Sequence, residues 1–129
     1  MSETGDATLQ AAGTGQRVLR LWLPVVAWAL VIFALSSVPH LGTDLGVWDT
    51  ILRKIAHTFE YAVLGALLTR ALQRPGLAFL VAVLYAASDE FHQTFVPGRH
   101  GSPVDVAIDS VGIAVGVLAW QRFGARRQA

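Results

Sequence analysis

Four apolar stretches, at residues 19–37, 55–72, 77–91 and 104–120, leave this chain little freedom in how it can fold. A helix needs about 20 residues to cross the roughly 30 Å of hydrocarbon in a bilayer. Each stretch is close to that length. Hydrophobic residues make up 53% of the 129, and the mean hydropathy is +0.50. That excess is too large for an ordinary soluble domain of this size, and it is gathered into runs. The pattern predicts one domain of the all-α class, an integral membrane four-helix bundle.

The charges between the stretches give the bundle a direction. If each stretch crosses, alternate connections fall on opposite sides. One side receives Arg17, Arg20, Arg70, Arg74, Arg122, Arg126 and Arg127. The other receives all four histidines (His40, His57, His92, His100) and seven of the nine acids, with only Arg53, Lys54 and Arg99 breaking the segregation. Basic residues mark the cytoplasmic side, so both termini are expected in the cytoplasm and the chemically capable side chains at the outer face. Residues 1–18 read as a disordered cytoplasmic tail, poor in large apolar residues. Residues 19–123 are the four-span domain and 124–129 a basic cytoplasmic tail. A signal peptide is the alternative for the first stretch, but its removal would leave an odd number of spans. No cysteine is present, which excludes disulfides, thiolate catalysis and cysteine–zinc sites.

The first span carries no charge between residues 21 and 38, and its Pro24 lies near its expected start, where a missing backbone donor costs least. Packing and orientation are its expected role, with Trp22 as an interfacial anchor. Asp44 or Asp49 could cap the second helix, and Trp48 is expected at the headgroup level. In the second span Lys54, His57, Glu60 and Tyr61 share an arc of about 120° at helical spacing. Pro75 ends one helix and opens the next. The third span ends with Asp89, Glu90, His92 and Gln93. Pro97-Gly98 makes a turn that presents Arg99. The fourth span carries Asp105 and, one turn deeper, Asp109. The same stripe continues as Gly112 and Gly116, and with Gly65 of the second span it predicts a close helix contact beneath a polar pocket.

These groups lie at one depth. A charge inside a bilayer costs about 2.5–3.5 kcal/mol on insertion scales, so the set must pair, face water or hold a ligand. Arg99 could bind a phosphate or carboxylate, or staple the loop through Asp89, Glu90 or Asp105. Asp105 could be a general base or the cap of the fourth helix. Asp109 is too deep to cap, so it is a ligand or proton site or the partner of Lys54 or Arg99. His57 could shuttle protons or make an interhelical hydrogen bond, with Glu60 orienting it or pairing with Lys54. Tyr61 could contact a ligand or pack, and Ser102 could act as a nucleophile only if a histidine reaches it. His92 is a weaker candidate, and His100 reads as a bystander.

Lys54-x-x-His57-x-x-Glu60-Tyr61, then Asp89-Glu90-x-x-Gln93-x-x-x-Pro97-Gly98-Arg99-x-x-Ser102-x-x-Asp105, then Gly112-x-x-x-Gly116, resembles the VanZ-like family over roughly residues 21–120. These are small bacterial membrane proteins named after one linked to teicoplanin resistance. The resemblance implies a four-helix membrane bundle in the cell envelope and a connection to antibiotic resistance, without implying a settled reaction. Family members often carry Asn where this chain has Asp109, so a carboxylate is added here.

Nitrogen and oxygen donors suffice for Zn²⁺, Mg²⁺ or Mn²⁺, yet no spacing is that of a metal signature and no metal or other cofactor is assigned. Phosphate loop, nucleophile elbow and dinucleotide fingerprint are all missing. The basic residues are few and lie near membrane boundaries, so no nucleic-acid partner is expected. The expected function is recognition of an envelope lipid head group, a lipid-linked cell-wall precursor or a glycopeptide. His57, Asp89, Glu90 and Asp105 are the candidate catalytic groups if bonds are broken. Lys54, Glu60, Tyr61, Gln93, Arg99, Ser102 and Asp109 are the candidate ligand-binding groups. A non-catalytic resistance factor that binds a partner and a small proton-coupled transporter are the alternatives.

Overall fold

The computed structural model describes residues 2–38, 46–99 and 101–124. His40, Asp44, His100, Arg126 and Arg127, named in the charge pattern, lie outside the described residues. Four α-helices follow one another: α1 (Ser2–Ser36), α2 (Val47–Leu72), α3 (Pro75–Gln93) and α4 (Pro103–Ala119). A π-helical turn, Trp120–Gly124, continues α4. Among the described residues there is no strand, and the all-α four-helix architecture stands.

The helix ends follow from local chemistry. Gln73 closes α2 in a left-handed conformation, φ 58°, and its backbone N–H donates to the Thr69 carbonyl at 2.9 Å. Pro75 then sits at the first position of α3, where its fixed φ is already helical and no donor is lost. Pro103 does the same for α4. At the other end of the chain the structure differs from the sequence reading. Helix α1 reaches back to Ser2, through the segment expected to be a disordered tail. Ala7, Leu9, Gln10, Ala11, Ala12, Gln16 and Arg17 are good helix formers, and Glu3 in the first turn complements the helix dipole. Residues 3–20 are exposed throughout, so local propensity, not packing, shapes this part of the helix. One consequence is that Pro24 lies in the helix interior, where it removes a backbone hydrogen bond, and not near a helix start as expected.

The bundle is apolar outside and polar at one end inside. Among the described residues 28 large apolar side chains are exposed, against 11 buried apolar residues, and the buried set also holds Ser36, Glu60, Thr69, Asp89, Glu90, Gln93 and Asp109. A water-soluble protein would invert that arrangement, so the exposed belt faces lipid. Two helical stretches, Glu3–Ser36 with mean hydropathy 2.3 and Pro103–Gly124 with 1.6, are long and apolar enough to cross a membrane on length and composition alone. Helices α2 and α3 fall short of that test because they carry Asp49, Arg53, Lys54, His57 and Glu60, and Asp89, Glu90, His92 and Gln93. Of these groups, Glu60, Asp89, Glu90 and Gln93 are buried inside the bundle.

Small residues set the helix spacing. A Cβ at Gly116 would lie 1.8 Å from the Ala62 carbonyl oxygen, one at Gly112 2.5 Å from that of Thr58, and one at Gly65 2.7 Å from that of Ile113. The expected glycine contact is therefore a backbone-to-backbone approach of α2 and α4. On α3, Ala78, Ala82 and Ala86 recur every fourth residue, all fully buried. Helix α1 is tied on by side chains: Trp28 Nε1 donates to the Glu60 carbonyl at 2.8 Å, and the Tyr85 hydroxyl to the Ala29 carbonyl at 2.5 Å.

Candidate functional site

The turn Val96-Pro97-Gly98-Arg99 closes with the Arg99 N–H donating to the Val96 carbonyl at 3.1 Å. Gly98 has φ 77°, which the third position of a type II turn requires and glycine accepts without strain. The turn aims Arg99 at the end of α1. Its Nε donates to the Val38 carbonyl at 2.9 Å and its Nη2 to the Leu35 carbonyl at 3.0 Å. Leu35 lies in the last turn of α1 and Val38 two residues beyond its end, where positive charge is favourable. The sequence reading offered an anion or a carboxylate as the partner of Arg99. In the structure two of its guanidinium nitrogens hold α1 instead. Partial burial, and next the neighbouring Arg53 charge, pull its pKa below the ordinary value, yet a guanidinium stays charged at any physiological pH.

Arg99 also lines a cavity of about 230 Å³ between the N-terminal ends of α2 and α4 and the C-terminal end of α3. Thr50, Arg53, Lys54 and His57 come from α2, Glu90 and Gln93 from α3, Gly98 and Arg99 from the turn, and Asp105, Ile108 and Asp109 from α4. The lining brings together seven of the residues singled out from sequence: Lys54, His57, Glu90, Gln93, Arg99, Asp105 and Asp109. Glu60, Tyr61, Asp89 and Ser102 are outside it.

Asp89 lies one turn deeper on α3 and is 3% exposed. Its Oδ2 accepts from the Ser36 hydroxyl at 2.9 Å, the Tyr61 hydroxyl at 2.8 Å and Gln93 Nε2 at 3.4 Å. One carboxylate oxygen thus joins α1, α2 and α3. Nearby, Ser37 Oγ meets His92 Nε2 at 3.1 Å, and the His92 ring stacks on Phe33 with centroids 4.6 Å apart. His92 is packed against α1 and away from the cavity. The uncharged first span, expected only to pack, therefore supplies Ser36 and Ser37 to the polar cluster. A pair of serines closing an otherwise apolar run, at the depth of the carboxylates, was the available signal.

At the cavity, Lys54 Nζ stands 3.7 Å from Asp105 Oδ1 across α2 and α4. His57 Nδ1 is 3.4 Å from Glu60 Oε2 one turn below, at an angle that makes no hydrogen bond. Thus Glu60 neighbours His57, and Lys54 takes Asp105. The cap of α4 is Ser102, whose hydroxyl oxygen accepts from the Val104 N–H at 3.1 Å; Asp105 sits in the first turn and is free for Lys54. Ser102 N–H donates to Glu90 Oε2 at 3.3 Å, which ties the loop to α3. Helix α2 has no side-chain cap at Gly46, and Asp49 pairs with Arg53 one turn on. Glu90 and Asp109 contact each other through their side chains. Asp109 Oδ2 is buried without a hydrogen-bond partner, and among the described residues no ion pair reaches Asp109. No group of three His, Cys, Asp or Glu among the described residues is placed to hold a metal ion.

No curated protein and no solved structure matches the chain. The model of the VanZ/LLP1 family matches residues 7–124, a span that holds α2, α3, α4, most of α1 and every residue of the cavity lining. By that match, and with the charged lining on the inner faces of α2, α3 and α4, the chain belongs to the VanZ/LLP1 family of membrane proteins.

Proposed function

We propose that this is a multi-pass protein of the bacterial inner membrane, with both termini cytoplasmic, whose cavity opens outward and recognises the head group of an envelope lipid, a lipid-linked cell-wall precursor or a glycopeptide. One observation carries the reading. A molecule with an apolar exterior keeps Arg53, Lys54, Arg99, Glu90, Asp105 and Asp109 around a single cavity at one end of its bundle. Charges at that depth are costly unless they have work to do. Arg70 and Arg74 lie at the opposite end, which by the positive-inside rule turns the cavity outward. Lys54, half-exposed at the mouth, is the cation for a ligand anion, and Arg99 adds positive potential while it holds α1.

Lipid and metabolite mass spectrometry on protein purified in mild detergent tests this. A head group recovered with the wild type and depleted in Lys54→Gln is the expected result; no enriched molecule in either would sink the reading. Reporter fusions should put the Arg70–Arg74 turn in the cytoplasm. A second reading, that the bound molecule is also transformed, rests on His57, which lines the cavity 3.4 Å from Glu60 and could act as acid–base. It requires that His57→Gln remove turnover while leaving expression and ligand recovery intact.

A further inference from the structure

The two ends of the cavity differ in sign. Lys54 and Arg99 stand at the mouth, while Glu90 and Asp109 form the floor and touch each other. Both floor residues are more than nine-tenths buried, Asp109 at 2% exposure and Glu90 at 7%. Each neighbouring cation has another partner: Lys54 has Asp105, Arg53 has Asp49, and Arg99 has the carbonyls of Leu35 and Val38. Asp109 lines the cavity, and its buried Oδ2 has no hydrogen-bond partner. A buried acceptor left unmade is unfavourable, and two adjacent carboxyls repel a ligand anion. What satisfies such a floor is a cationic group that donates several hydrogen bonds.

Resting on the head-group reading above and narrowing it, we propose that the cavity takes a zwitterionic head group of the phosphoethanolamine kind. Its primary ammonium sits on the Asp109–Glu90 floor and its phosphate at the Lys54–Arg99 mouth. A primary ammonium brings three donors and a positive charge. A trimethylammonium brings the charge and no N–H. A glycerol brings hydroxyl donors and no charge. A single water needs about 10–15 Å³ of comparable space, so the cavity, at about 230 Å³, has room for a group of this size.

The test is calorimetric titration of the full chain in mild detergent with dihexanoyl lipids bearing ethanolamine, glycerol or choline head groups, and with free phosphoethanolamine. The ethanolamine lipid should bind about tenfold tighter than the other two, the loss expected when one charged hydrogen bond goes unmade. Asp109→Asn should erase that preference, with circular dichroism confirming the helices. Free phosphoethanolamine that competes identifies the head group alone as sufficient; failure to compete assigns the ligand to the lipid. Choline binding as tightly as ethanolamine, or a preference that survives in folded Asp109→Asn, overturns the proposal. Tightest binding of the glycerol lipid overturns it too and leaves the head-group reading standing. No binding of any lipid removes both. The wild-type ranking needs no variant, so the proposal stays open to refutation if Asp109→Asn fails to fold.

Discussion

Asp89 and Asp109 are both nearly inaccessible, at 3% and 2% exposure, on facing helices of one bundle. Asp89 Oδ2 is surrounded by Ser36, Tyr61 and Gln93, whereas Asp109 has a second carboxyl beside it and a cavity in front of it. Burial alone therefore says nothing about what an acid is for; the donors around it do. A carboxylate furnished with donors from three helices is part of the frame. Each keeps one buried oxygen without a hydrogen-bond partner, Oδ1 of Asp89 and Oδ2 of Asp109, but of the two it is Asp109 that lines the cavity, and there it is part of what the frame presents.

The sharpest way to break this comparison is Asp89→Ala. It leaves the Ser36 and Tyr61 hydroxyls and the Gln93 amide without their acceptor, and each buried unsatisfied group costs about 1–3 kcal/mol. Loss of several kcal/mol is expected, read as a collapse of the thermal unfolding midpoint in detergent and of membrane abundance. An unchanged midpoint would show that the Asp89 cluster does not hold α1, α2 and α3 together.

A smaller effect is expected from Gly116→Ala, beneath Asp109. The new methyl would meet the Ala62 carbonyl at 1.8 Å, and backbone cannot yield as a side chain can. Overpacking of this kind costs about 1–3 kcal/mol, and separating α2 from α4 should widen the floor and weaken ligand binding. Gly76→Ala, with nothing within 4 Å, is the control and should leave both properties intact.

This contact was legible before any coordinates, because the spacing of Gly112 and Gly116 is a local pattern that reports directly on helix packing. The helix boundaries at Pro75 and Pro103 were legible for the same reason. Arg99 was only half legible. Its charge and its turn are in the sequence, but its partners are the carbonyls of Leu35 and Val38, and backbone acceptors leave no mark in a sequence. Ser36 stayed hidden because its value depends on Asp89, 53 residues away. The first turn of α4 was readable and misassigned. Serine followed by proline is a strong cap signature, and Ser102 rather than Asp105 fills the role. Ser102→Ala should therefore cost about 0.5–2 kcal/mol, whereas Asp105→Asn should barely move the midpoint. The pair it forms with Lys54 is half-exposed and 3.7 Å long, and such pairs are worth about 0–1 kcal/mol.

The most telling change in stability belongs to Asp109→Leu. The wild-type carboxylate is desolvated, lies against Glu90 and has an oxygen without a donor, so its burial is already unfavourable. An apolar side chain of similar reach removes that burden and has the cavity to expand into. The unfolding midpoint should hold or rise, by about 1 kcal/mol if one buried unsatisfied oxygen is relieved, while recovery of a bound head group is lost. The opposite signs at Asp89 and Asp109 are the content of the comparison. If Asp109→Leu unfolds the bundle as Asp89→Ala does, then Asp109 is held by the frame as Asp89 is, and the cavity floor has no claim to be a site.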